Sequence, residues 1–133
     1  MRRNTISATI HLLLLFLVTL TINSSCKKDS TVNIIGSYTR TQAYGTGTYL
    51  VKLTFSENDV MKWEPVDSIP GHSATILNYK VEGAIIHIYG DSDCGNEAYY
   101  NFTLSGEILT ILVKTDECAP RQLALCGLWT QLQ

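Results

Sequence analysis

The chain has 133 residues and a formal net charge of −2, enough for one domain and little else. That balance speaks against a nucleic-acid partner, which needs Lys and Arg clustered on one face. Three Pro and no low-complexity tract speak against disorder in the body of the chain.

The N-terminus reads first as an address. Met1-Arg2-Arg3 leads through a polar bridge to the apolar run Leu12–Leu20 (LLLLFLVTL), and small and polar residues then lead to Cys26. A charged, apolar, small-residue series is the pattern of an export signal. The run is about half the ~20 apolar residues a spanning helix requires. Asn23-Ser24-Ser25-Cys26-Lys27-Lys28-Asp29 resembles the lipobox and polar follow-on of bacterial lipoproteins, with Asn23 standing where an apolar residue is usual. The resemblance implies cleavage before Cys26, acylation of Cys26, and a lipid-anchored protein of the bacterial cell envelope, at the outer membrane. The expected organisation is a signal peptide over 1–25, a lipidated tether over 26–33 and one domain over 34–133. Loss of Arg2 and Arg3 with the signal leaves eight basic residues against twelve acidic ones.

From Ile34 onward the chain reads as short strands. Ile34–Tyr44 is rich in β-branched and aromatic residues and stops at Gly45-Thr46-Gly47, a turn. Thr48–Phe55 alternates cleanly: Tyr49, Val51, Leu53 and Phe55 share one face, and Thr48, Lys52 and Thr54 the other. After the turn residues Ser56–Asp59 comes Val60–Val66, where Pro65, lacking an N–H for a ladder, marks an end or an edge. Pro70-Gly71 lies in the longest connection of the first half. Ala74–Glu82 and Ala84–Tyr89 hinge near Gly83, Glu97–Leu104 and Ile108–Lys114 flank Ser105-Gly106-Glu107, and Arg121–Leu132 is the eighth segment. No segment after the signal has a helical period, and Gln122–Leu132 is the weakest of the strands.

Eight such strands predict an all-β domain, an eight-stranded antiparallel up-and-down barrel, because closing the last strand on the first removes both free edges. In that order the Cys94 and Cys118 loops emerge at the same end, about two strand spacings or ~10 Å apart. An exported chain meets an oxidising compartment, so a Cys94–Cys118 disulfide is expected, with Cys126 left as a free thiol inside the last strand. No C-x-x-C pair occurs and only His72 and His87 follow the signal, so no metal site and no cofactor is predicted.

Gly36-Ser37-Tyr38 on strand one, the eight-strand order, and Asp116–Arg121 leading to Trp129-Thr130 resemble the lipocalin-like domains of small bacterial lipoproteins. In that family a Gly-x-Trp on the first strand is packed by a late Arg that closes one end of the barrel. The resemblance therefore implies barrel-end packing of Tyr38 against Arg121, with Tyr replacing Trp. The Thr115-Asp116 pair falls in the wrong connection to count toward it. The family also implies that a small apolar molecule is held inside the barrel. Tyr49, Val51, Leu53, Phe55, Tyr100, Phe102, Leu109, Ile111 and Val113 are the candidate lining, and the same residues are what a solid core requires. Strands of six to eight residues leave little internal volume, which favours the packed core.

Other chemistry reads weakly. Asp91-Ser92-Asp93-Cys94-Gly95-Asn96-Glu97 places oxygens at alternate positions like the start of a Ca²⁺ loop, but it lacks the full twelve-residue pattern and reads as solvated charge. His72 and His87 have no nucleophile in a recognisable motif beside them, so an enzyme is not expected. The functional expectation is an envelope lipoprotein, membrane-bound through its lipid, whose barrel binds a small lipophile. The competing expectation is a protein-interaction or inhibitor module with a solid core, its partner unspecified by the sequence.

Overall fold

Alternation along each strand decides which side chains meet at the barrel axis. The computed structural model describes residues 32–95 and 97–133; the expected signal peptide, Cys26 and most of the expected tether lie outside the described residues. Among the described residues the strands are β1 (Gly36–Tyr44), β2 (Gly47–Phe55), β3 (Val60–Pro65), β4 (Thr75–Glu82), β5 (Ile85–Tyr89), β6 (Ala98–Ser105), β7 (Ile108–Thr115) and β8 (Gly127–Gln131), with one helix, α1 (Ala119–Leu125), before β8. They form a closed antiparallel barrel in sequence order, β8 returning to β1 through Tyr38 opposite Gln131 and Thr39 opposite Thr130.

Inward residues face inward residues across every seam. Tyr38 stands opposite Leu53, Leu53 opposite Trp63, Phe55 opposite Met61, Met61 opposite Leu77, Ile86 opposite Tyr100, and Leu109 opposite Trp129. All are buried in one continuous cluster. Each large side chain removed from water contributes about 1.5–3 kcal/mol before chain entropy is set against it. The outward positions differ around the circumference: Lys52 and Lys62 both bind Glu64 on β2 and β3, whereas Leu112 and Leu128 stand exposed on β7 and β8.

The predicted eighth strand over Arg121–Leu132 is corrected: its first half is α1, and only Gly127–Gln131 pairs as β8. Pro120 sits in the first turn, where its missing N–H costs nothing and its fixed φ suits a helix. Arg121 and Leu125, four apart, both turn to the interior. The chain leaves the helix through Gly127 at φ 134°, and a Cβ there would come within 2.5 Å of the Arg40 guanidinium. Cys126 therefore sits at the end of the helix rather than inside a strand; it is a free, half-buried thiol. Burial raises its pKa, against a Val113 backbone hydrogen bond that acts the other way.

The two barrel ends are built differently. At the end where β1 begins, Ile34 is buried and accepts a hydrogen bond from the Tyr38 hydroxyl (3.1 Å), with the Tyr38 ring 6.1 Å from Phe55. The other end, where β1, β3, β5 and β7 finish, carries α1 and both Cys loops. The Cys94–Cys118 disulfide is present there, with Cα atoms 5.6 Å apart, and joins the β5–β6 loop to the start of α1.

Candidate functional site

At that second end a cleft of about 390 Å³ opens between the β3–β4 connection, the Cys94 loop and α1. Its first wall is aromatic. Ile69-Pro70-Gly71-His72 makes a tight turn closed by His72 N–H donating to the Ile69 carbonyl (3.1 Å), with Gly71 at φ 78°, as a type II turn requires of its third residue. Ile69 is buried and pins the turn to the barrel. The turn thereby brings the His72 ring to 4.5 Å from Tyr44, and Trp63 meets Tyr44 edge-on at 6.3 Å. The opposing wall is Pro120, Leu123 and Ala124 of α1, and Leu77 and Leu125 also border the cleft.

The polar border is a buried ionic cluster. Arg121 grips Asp116 with two hydrogen bonds, Nε to Oδ2 (2.9 Å) and Nη2 to Oδ1 (2.7 Å), and reaches Asp91 Oδ2 through Nη1 (2.9 Å). The side chains of Arg121 and Asp116 are 3% and 0% exposed, so the pair gains from a low local dielectric and depends on every partner being present. Asp116 also accepts the Cys118 amide (2.8 Å) and the Tyr100 hydroxyl. Burial opposes its charge, but the hydrogen bonds from Arg121, Tyr100 and Cys118 outweigh that cost and hold the carboxyl below its ordinary pKa. The same contacts, Asp116 first, raise Arg121, while burial and then Asp116 push the Tyr100 hydroxyl well up. Asp91 spends its other oxygen on the amides of Asp93 (3.0 Å) and Cys94 (3.3 Å), which organises its own loop. Among the described residues no group of three or more His, Cys, Asp or Glu could hold a metal ion.

The helix itself is held from inside the barrel. Arg40, on the same inward row as Tyr38, donates to the carbonyls of Leu123 (2.7 Å), Ala124 (2.8 Å) and Cys126, and Gln42 adds a bond to Leu123 (3.0 Å). These are carbonyls that a helix C-terminus leaves without partners. The Arg40 guanidinium also lies 4.3 Å from the centre of the Trp129 ring, a cation–π contact, and Trp129 Nε1 donates to the Leu125 carbonyl (2.9 Å). The implied pairing of Tyr38 with Arg121 is thus corrected. The two occupy opposite ends of the barrel, because Arg121 is drawn to the buried carboxylates, and the arginine that covers an aromatic ring is Arg40.

Of the nine candidate lining residues, Val51, Leu53, Phe55, Tyr100, Phe102, Leu109 and Ile111 are buried in the core, and Tyr49 packs partly against it. Val113 is 44% exposed although it pairs with buried Tyr100; it is the last residue of the regular row, and the register shift between Tyr99 and Tyr100 lies just beyond it. None of the nine borders the cleft. The cleft as a ligand site was missed because its residues come from five separated segments, although Arg121, Cys94, His72, Asp91 and Asp93 were singled out for other roles. Parity along β1 was the one available signal, since Tyr38 inside places Arg40, Gln42 and Tyr44 inside as well. Comparison with known protein families, curated proteins and solved structures found no match.

Proposed function

We propose that this chain is a lipid-anchored protein of the bacterial cell envelope whose lipocalin-like barrel holds a small, largely apolar ligand at its mouth. The observation that carries the reading is the cleft beside α1, whose volume of about 390 Å³ and aromatic and aliphatic walls fit the size and chemistry of small-molecule sites. The axial side chains form the barrel's core, so the ligand sits above them and not among them. The Leu12–Leu20 run and Ser24-Ser25-Cys26 support export, acylation of Cys26 and attachment to the outer membrane.

Trp63 supplies the readout. Addition of a lipophile should change tryptophan emission in the wild-type protein and in a Trp129→Phe variant, and leave a Trp63→Phe variant silent. Native mass spectrometry of the same mixtures should show one bound molecule. A flat titration across lipophiles small enough for the cleft would defeat the reading.

The competing reading, an interaction or inhibitor module, is supported by the filled core and by exposed Leu112, Leu123 and Leu128. It gains if charged substitutions at Leu112 and Leu128 abolish an envelope partner's binding while the cleft stays empty.

A further inference from the structure

We propose that the mouth cleft selects an uncharged ligand that carries a carbonyl oxygen on an apolar body, and that this oxygen accepts a hydrogen bond from the Trp63 indole N–H; the inference rests on the cleft being a ligand site.

The two tryptophans have the same donor and are treated unequally by the fold. Trp129 is fully buried, and its Nε1 donates to the Leu125 carbonyl (2.9 Å). Trp63 is 5% exposed, and its Nε1, out of reach of solvent, has no acceptor among the described residues. Arg40 Nε shares that condition, but Arg40 does not border the cleft and its two terminal nitrogens already donate to carbonyls. An indole N–H that meets neither water nor a protein acceptor is uncommon and costly. Trp63 does border the cleft, so the cleft is the side from which an acceptor can be delivered.

The chemistry of the head group follows from that enclosure. Because solvent does not reach the N–H, an acceptor arrives only by passing among the side chains of the wall, with a local movement of that wall, and a strongly hydrated head is the worst suited to do so. A carboxylate would leave water at a large cost. The charged border gives no net compensation, since Arg121 and His72 stand there together with Asp91 and Asp93, and Arg121 is already joined to Asp91. An ammonium has donors and no acceptor, so it leaves the indole as it is. A hydroxyl would bring a second donor into the same enclosed place, whereas a ketone or ester carbonyl only accepts. Leu77, Pro120 and Leu125 on the cleft border suit the apolar body.

The test titrates acetophenone, ethylbenzene, benzoate and 1-phenylethylammonium, probes of nearly the same size and shape, into the full mature protein at pH 7. The readout is the pair of indole ¹⁵N–¹H resonances, assigned with Trp129→Phe. Acetophenone should bind about three- to tenfold tighter than ethylbenzene, the size of one neutral hydrogen bond, and both ions should bind more weakly than acetophenone. The Trp63 indole proton should move downfield with acetophenone relative to ethylbenzene, as a new hydrogen bond requires. Trp63→Phe should bring the two neutral probes to equal affinity, and if that variant does not fold, the wild-type indole shift decides. Acetophenone no tighter than ethylbenzene, an ion tighter than acetophenone, or equal indole shifts with the two neutral probes would overturn the carbonyl selectivity and leave the cleft as a ligand site. Failure of all the probes to bind would remove the site itself.

Discussion

The two ends of this barrel solve the same closure problem with opposite chemistry. Where β1 begins, Tyr38, Phe55 and Tyr79 pack edge to face, with Phe55 and Tyr79 5.0 Å apart, and the two hydroxyls are absorbed by backbone carbonyls of Ile34 and Ser56. Nothing charged is needed there. At the mouth, a guanidinium, two carboxylates, a phenol and a disulfide are tied into one junction around the start of α1. Neutral packing loses a little when one contact goes. A buried ionic cluster loses a great deal, because the surviving partners are left charged and dry. The mouth is therefore the end at which one side chain can decide stability, and it is also the end that carries the cleft.

Asp116→Ala should give the largest effect. It leaves Arg121 without its two-fold partner and Tyr100 without its acceptor, a loss of about 3–5 kcal/mol by analogy with other broken buried pairs, read from the urea midpoint. The difference between the ends should also appear on acidification. Because Asp116 is held below its unfolded value of about 3.9, its contribution is complete above that pH and is lost as pH falls through the folded value. Wild type should lose stability below about pH 4, and Asp116→Asn, destabilised throughout, should lack that component of the slope. An acid slope identical in the variant would show that the cluster does not set the mouth's stability.

Removal of the bridge comes next. Cys94→Ser together with Cys118→Ser should lower stability by about 2–4 kcal/mol, the range for a loop of this size. Because Asp91 and Arg121 span the same junction, the disulfide and the ion pair should be coupled, and the triple change with Asp116→Ala should cost less than the separate losses added together. Strict additivity would mean that the two devices act independently. A melting temperature unchanged in the Cys94→Ser variant would rule out any stabilising role for the bridge.

The contrast between the ends also explains what the sequence could disclose. Thr48–Phe55 revealed its inward face because Tyr49, Val51, Leu53 and Phe55 alternate with mostly polar residues, and the disulfide followed from strand order together with the expected export. The mouth breaks that rule twice. Arg40 and Gln42 point inward because they serve carbonyls of α1, and α1 was not legible, since a seven-residue helix with interior contacts at Arg121 and Leu125 offers too little periodicity to distinguish it from a strand. Asp116 was set aside for lying in the wrong connection, yet its position just before α1 is what lets it receive the Cys118 amide and both arms of Arg121. Arg40, Gln42 and Asp116 each depend on a partner at least five positions away in sequence.

Tyr38→Phe at the closed end should have the smallest effect and sets the scale for the others. The change keeps the ring against Phe55 and removes only the hydrogen bond to the Ile34 carbonyl, so it should cost about 0.5–1.5 kcal/mol. Burial raises the Tyr38 pKa, so in the folded protein the hydroxyl keeps its proton above the unfolded value of about 10; the sign of the linkage is a contribution present below that pH and lost as pH rises through the folded value. Tyr38→Phe should accordingly flatten part of the alkaline limb and leave the acid limb untouched, the mirror image of Asp116→Asn. A Tyr38→Phe cost as large as that of Asp116→Ala would mean that the Ile34 segment, not the ionic mouth, is the more fragile closure.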